Sequence, residues 1–122
     1  MGKFENLIAY QQAVSLADDL REVIRDWPNA DLWTLGVQLV RAADSVGANI
    51  AEGFGRGSNA EENRFLLIAR GSANETQHWI ERAFARSLID DDSFRVRAAA
   101  VCRLVNGLHR AHRARARATG DR

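Results

Sequence analysis

Six polar residues recur every three or four positions between Gln38 and Arg56: Gln38, Arg41, Ser45, Asn49, Glu52 and Arg56. Positions i, i+3 and i+4 share a helix face, so on a helix the six make one continuous stripe. A serine, a glutamate and two arginines on one stripe could be acid–base or nucleophilic machinery. A serine nucleophile needs an activating base, however, and neither Ser45 nor Ser72 has a histidine at a helical spacing. Buried charges persist when paired, and such networks can fix register and assembly. The stripe therefore reads as a structural polar network of Gln38, Arg41, Ser45, Asn49 and Glu52 with Ser72 and Glu75 on a facing helix. In that network Glu52 pairs with Arg56 and Arg41 meets a carboxylate across the bundle, so replacing Glu52 by alanine is expected to weaken the fold or its assembly.

Three other groupings could carry chemistry. Glu75 and His78 form one Glu-x-x-His pair, and di-iron bundles need two such pairs with two further glutamates. The remaining histidines, His109 and His112, supply no second pair, so neither a metal nor any other cofactor is expected; these two histidines read as an extension of a basic face. The turn Gly53-Phe54-Gly55-Arg56-Gly57-Ser58 could offer amides to a phosphate, but it lacks the lysine and spacing of a nucleotide loop and reads as a helix stop. The C-terminal run holds Arg103, Arg110, Arg113, Arg115, Arg117 and Arg122, with Asp121 as its counter-charge. Arginines in series supply salt-sensitive affinity for a nucleic-acid backbone, with Arg56 as a helper. A solvated, frayed helix end fits the same residues, and no aromatic residue interleaves with the arginines to stack bases.

The elements that must position these groups are helices. From Phe4 to Trp27, Leu7, Tyr10, Val14, Ala17 and Ile24 are spaced three, four and seven apart, and Pro28 ends that helix. Asn29 or Asp31 is expected to cap a second helix, from about Leu32 to Glu52 or a little beyond, with Leu35, Leu39, Ala42, Val46 and Ile50 inward. Its Ala42, Ala43, Gly47, Ala48 and Ala51 let another backbone come close. Gly53, Gly55 and Gly57 release the chain, and Ser58 with Glu61 has the spacing of a capping box for a third helix that fades near Leu88. After Asp90, Asp91 and Asp92, a fourth helix carries Phe94, Ala98, Val101, Val105 and Leu108 inward before its pattern dissolves. Short connections predict an all-α, antiparallel up-down-up-down four-helix bundle over residues 1–108, with residues 109–122 a basic tail continuing from the fourth helix.

A chain of 122 residues, 46% hydrophobic, suits one domain with its own core. The single Cys102 makes no internal disulfide. No run approaches a membrane span and the first residues do not read as a leader, so a cytoplasmic protein with no membrane partner is expected. Trp27, Trp33, Trp79 and Phe54 exceed what a thin bundle seam encloses, and aromatics are enriched at interface cores, which predicts self-association.

The run Gln38–Gly57 with Phe65, Ala69, Gly71, Ser72 and Glu75 on the next helix resembles a bacterial four-helix-bundle family. That family includes the proteins encoded in large-subunit rRNA intervening sequences and the accessory variability proteins of diversity-generating retroelements. Its usual pattern has Gln-x-x-Arg-Ala, a serine, then Asn-Ile-Ala-Glu-Gly, here Gln38, Arg41, Ala42, Ser45 and Asn49 to Gly53. The likeness covers most of residues 4–89. It departs mildly at Thr34, Val46 and Gly47. The resemblance implies a homopentameric ring of bundles and, in retroelement members, a basic surface that engages nucleic acid and a reverse transcriptase. It implies no enzymatic activity. The expectation is thus a non-catalytic homo-oligomer that binds RNA or DNA or scaffolds a protein partner; the alternative is a structural or protein-interaction adaptor without a nucleic-acid role.

Overall fold

The computed structural model describes residues 4–120; Asp121 and Arg122 of the expected basic tail lie outside them. After a 3₁₀ turn at Phe4–Asn6, helix α1 spans Ile8–Ile24. Helix α2 covers residues 29–54 in three pieces, an α-turn Asn29–Asp31, a π-helical turn Leu32–Gly36 and a regular helix Val37–Phe54. Helix α3 spans Asn59–Ala85 and α4 spans Ser93–Ala118. Each helix packs on its neighbours in the fold and α1 closes the circuit against α4. The described residues therefore form an all-α, up-down-up-down four-helix bundle.

On α2 and α4 the core is the set of inward positions that the periodicity marks, with Leu108 half-buried; on α1 the buried face is Ala9, Ala13, Leu16, Ala17, Leu20 and Ile24, and the expected Leu7, Tyr10 and Val14 are half-buried. Leu16, Leu20, Ile24, Leu39, Val46, Ile50, Ile80 and Val105 are fully buried. Two glycines on α2 set how closely its neighbours approach. A Cβ on Gly47 would stand 3.1 Å from Val14 on α1, and one on Gly53 would stand 3.0 Å from the Cβ of Phe65 on α3. Gly53 is thus a helical packing residue and does not release the chain, as its place in a glycine cluster suggests. Gly55, with φ −89°, ends α2 without left-handed geometry.

The ends of the helices also depart from expectation in detail. Pro28, and neither Asn29 nor Asp31, occupies the position before α2; its carbonyl accepts from Asp31 N at 3.0 Å and Leu32 N at 2.8 Å. Proline leaves no donor to satisfy there, and the following residues start the helix directly. Ser58 Oγ accepts from Glu61 N at 3.2 Å, capping α3. Helix α3 closes in a Schellman turn, with Leu88 N on the Ala83 carbonyl at 2.9 Å and Ser87 N on Phe84 at 3.1 Å. Ser87 takes the left-handed conformation there, φ 59°.

The largest difference lies in α4. The apolar pattern fades after Leu108, yet the helix runs on to Ala118. The reason is His109 and His112, which are 5% and 3% exposed and pack against the start of α3, inside the bundle seam and not on the basic face. The topology collects the start of α3 and the ends of α2 and α4 at one end of the bundle. The other end holds the Trp27–Pro28 connection and the loop after α3, and with them Asp26, Asp31, Asp90, Asp91 and Asp92.

Candidate functional site

Helix α4 carries Arg95, Arg97, Arg103, Arg110, Arg113, Arg115 and Arg117, and the structure divides them. Arg95 in the first turn bonds Glu81 through Nη2 at 2.6 Å and Nε at 2.9 Å, and Asp92 through Nη1 at 3.3 Å. Its guanidinium also covers the Phe84 ring, 4.1 Å from the centroid. These carboxylates raise its pKa, chiefly through the Glu81 bonds, and Arg95 in turn lowers that of Glu81. Arg97 reaches Asp19 on α1 at 2.8 Å and Ser15 Oγ at 3.2 Å. Both tie the start of α4 to its neighbours.

Arg103, Arg110, Arg113, Arg115 and Arg117 are all exposed, and none makes an ion pair with a described carboxylate. Separations of seven, three and four residues put Arg103, Arg110, Arg113 and Arg117 on one flank of α4. Arg115, two residues from Arg113 and from Arg117, falls on the opposite flank. Unpaired guanidiniums present free donor forks, the form suited to phosphate oxygens.

The first flank borders a groove of about 500 Å³ between the end of α4 and the start of α3, lined by Asn59, Ala60, Asn63, His112, Arg113, Ala116 and Arg117. Its lining holds two arginines and no carboxylate. Asn59, Ala60 and Asn63 belong to the first turns of α3, where the helix dipole adds partial positive charge. The floor is fixed by the two buried histidines. His109 Nε2 lies 2.8 Å from Asn63 Oδ1, and His112 Nε2 lies 3.0 Å from the Asn59 carbonyl, so each Nε2 carries the proton it donates. His112 Nδ1 stands 3.7 Å from Glu62 on the far side of the ring. Burial pushes the His109 pKa down, and the nearby Arg70, Arg113 and His112 add to the effect.

Arg56 sits at the same end of the bundle in the turn after α2, but it is engaged. It pairs with Glu52 one turn back, and its guanidinium lies 4.9 Å from the Phe65 centroid, with Arg64 at 4.5 Å. An aromatic missing from the arginine run in sequence is brought beside it by the fold, from the end of α2. Phe54 is 39% exposed and lines a narrow crevice with Leu108, His112 and Arg115, among others. Nothing in the spacing of the tail signals this, because the two segments are far apart in the chain.

The polar stripe of α2 resolves into separate parts. Ser72 Oγ on α3 donates to Ser45 Oγ at 2.8 Å, and Asn49 Nδ2 donates to the Ser45 hydroxyl and carbonyl at 2.9 and 2.8 Å. These three form one connected group spanning α2 and α3. Glu52, Arg41 and Glu75 are exposed. Glu75 accepts from Trp79 Nε1 at 3.0 Å and makes no ion pair with Arg41. Arg41 makes no ion pair with a described carboxylate, although it lines the same depression as Ser45, Ser72 and Glu75, about 470 Å³ in volume. Gln38 is half-buried one turn before Arg41. The charged members lie at the solvent-facing edge of the stripe. His78 packs edge-on against Trp79, 4.7 Å between centroids, and among the described residues no three His, Cys, Asp or Glu side chains converge on a metal position.

A family model described as 23S rRNA-intervening sequence protein matches residues 5–110. No curated protein gives a match to the sequence.

Proposed function

The chain belongs to the 23S rRNA-intervening sequence protein family, and from that premise we propose that it is a non-catalytic, homo-oligomeric nucleic-acid-binding or scaffolding protein whose binding surface is α4 from Arg103 onward. The observation that carries the reading is the division of the α4 arginines. Arg95 and Arg97 are used within the bundle, whereas Arg103, Arg110, Arg113, Arg115 and Arg117 are exposed and without ion pairs among the described residues. Sequence-independent binding to a polyanion needs unspent cations of this kind. RNA fits the family's name, and DNA is served by the same chemistry.

Binding to single-stranded RNA or DNA, measured between about 50 and 200 mM salt, tests it. Replacing Arg110, Arg113 and Arg117 by glutamine should weaken binding and flatten the salt dependence by about one unit for each phosphate that is no longer neutralised. Substitution is the suitable tool, because deleting residues 110–122 would also remove the buried His112. Absence of wild-type binding at low salt would overturn the reading.

The competing reading, a protein-interaction adaptor, draws on a different observation. Trp33 is 72% exposed and borders an apolar depression with Ile24, Leu32, Gly36, Val37 and Val40. Of the four aromatics singled out in the sequence, Trp27 is buried and Trp79 half-buried, which leaves Trp33 and Phe54 as candidates for packing outside the bundle. The oligomer, a pentameric ring on this proposal, is read out by mass in solution. Replacing Trp33 by serine should dissociate it if that depression is the interface.

A further inference from the structure

The end of the bundle that gathers the free arginines also exposes one aromatic ring, and the other rings at that end are engaged. Phe4 and Tyr10 pack edge to face, 5.0 Å between centroids. Phe65 has the Arg56 and Arg64 guanidiniums at 4.9 and 4.5 Å from its centroid. Phe54, in the last turn of α2, makes no ring contact among the described residues and is 39% exposed.

Its surroundings are those of a base-binding position. Arg115 and Leu108 line the crevice beside Phe54, and so does His112, which also forms part of the groove that holds Arg113 and Arg117. The crevice and the groove therefore lie on either side of one buried imidazole. Glu62 is the carboxylate in the crevice, and it is turned to His112 Nδ1. A chain crossing the end of α4 meets guanidiniums on one flank and a part-exposed aromatic ring with a further guanidinium on the other.

We propose that Phe54 is a stacking platform for an unpaired base, and that this end of the bundle selects single-stranded nucleic acid over duplex. The inference rests on the nucleic-acid reading above and names its ligand class. Every base has a π-face, so stacking on Phe54 adds affinity without sequence preference. A duplex keeps its bases stacked inside the helix and offers the ring only backbone. The arginines serve both forms and the duplex has the higher charge density, so the abasic single strand of equal charge is the comparison that isolates Phe54.

The test compares a single-stranded 12-mer, the same 12-mer as a duplex, and an abasic 12-mer of equal charge, at one salt concentration. The wild-type chain should bind the intact single strand roughly tenfold more tightly than the abasic strand, the size expected for one stacked base. Phe54→Leu, which keeps apolar bulk and loses the π-face, should bind intact and abasic strands equally, and Phe54→Trp should restore the preference. The salt dependence should be unchanged in both variants, with helicity by circular dichroism confirming that each folds. If the wild type binds the intact and abasic strands equally, or Phe54→Leu keeps the preference, the stacking role is overturned while the arginine surface stands; if it binds the duplex more tightly than the intact single strand, the selectivity for single strands is overturned. If the wild type binds none of them, the nucleic-acid reading itself fails.

Discussion

His109 Nε2 on α4 lies 2.8 Å from the Asn63 side-chain oxygen on α3, at a depth where the imidazole is 5% exposed. The bond requires a proton on Nε2, which the neutral ring supplies in its Nε2–H tautomer. Burial foremost, then Arg70, Arg113 and His112, hold the pKa below its usual 6.5. Because the folded chain binds this proton less readily than the unfolded one, stability is complete above about pH 6.5 and falls as the pH drops through that value toward the lowered folded pKa. Denaturant midpoints at pH 7.5 and 5.5 should differ accordingly, and His109→Gln should reduce the difference.

Ser72→Ala should cost about 1 kcal/mol, the worth of one partly buried hydrogen bond between α2 and α3. Glu52→Ala should change stability by less than about 0.5 kcal/mol, since Glu52 and Arg56 form an exposed one-turn pair. That reverses the expectation from sequence that Glu52 anchors a buried network. Urea denaturation of the two variants side by side gives the comparison.

Ser87 holds a left-handed backbone at the end of α3, a conformation that costs a residue with a Cβ roughly 1 kcal/mol and glycine very little. Ser87→Gly should therefore raise stability by about that amount and lift the thermal midpoint. An unchanged or lowered midpoint would contradict the assignment of that turn.

Glycine to alanine should act in opposite directions at two helical sites. At Gly53 the added methyl meets the Phe65 Cβ at 3.0 Å and the Glu62 carbonyl at 3.4 Å, and the expected loss is about 1–3 kcal/mol from overpacking. At Gly71 on α3 nothing lies within 4 Å, and the better helix propensity of alanine should add about 1 kcal/mol. Thermal melts of both variants check the pair.

The four helices are legible in the sequence because each carries an apolar repeat of three and four, and Pro28 and Ser58 mark boundaries by local chemistry; the inward face of α2 is legible too, whereas that of α1 includes Ala9, Ala13 and Leu16 in place of the expected Leu7, Tyr10 and Val14. What the sequence conceals depends on partners distant in the chain. His109 and His112 look like members of a basic run, since spacing does not show that Asn63 and Asn59 wait opposite them. The same blindness hides Phe54 beside Arg115. The π-helical turn at Leu32–Gly36 also leaves no trace in the pattern, because one additional residue in a turn shifts the apolar phase by less than a short window resolves. The stripe on α2 is legible as a stripe, yet whether its charges are enclosed depends on the placement of the neighbouring helices, which spacing within α2 does not show.

The gathering of like groups at each end of the bundle has a consequence for how the molecule moves before it touches anything. Asp26, Asp31, Asp90, Asp91 and Asp92 lie about the connections at one end, partly offset by Arg25, Arg86 and Arg95, while Arg110, Arg113, Arg115 and Arg117 stand at the other with Arg56 and Arg64, partly offset by Glu52, Glu61 and Glu62. A formal net charge of +1 therefore hides an electric dipole along the long axis. In the field of a polyanion such a body rotates to present its basic end and is repelled if it arrives acid end first. The encounter is oriented at a distance of about a Debye length, so added salt should slow association more than it hastens release.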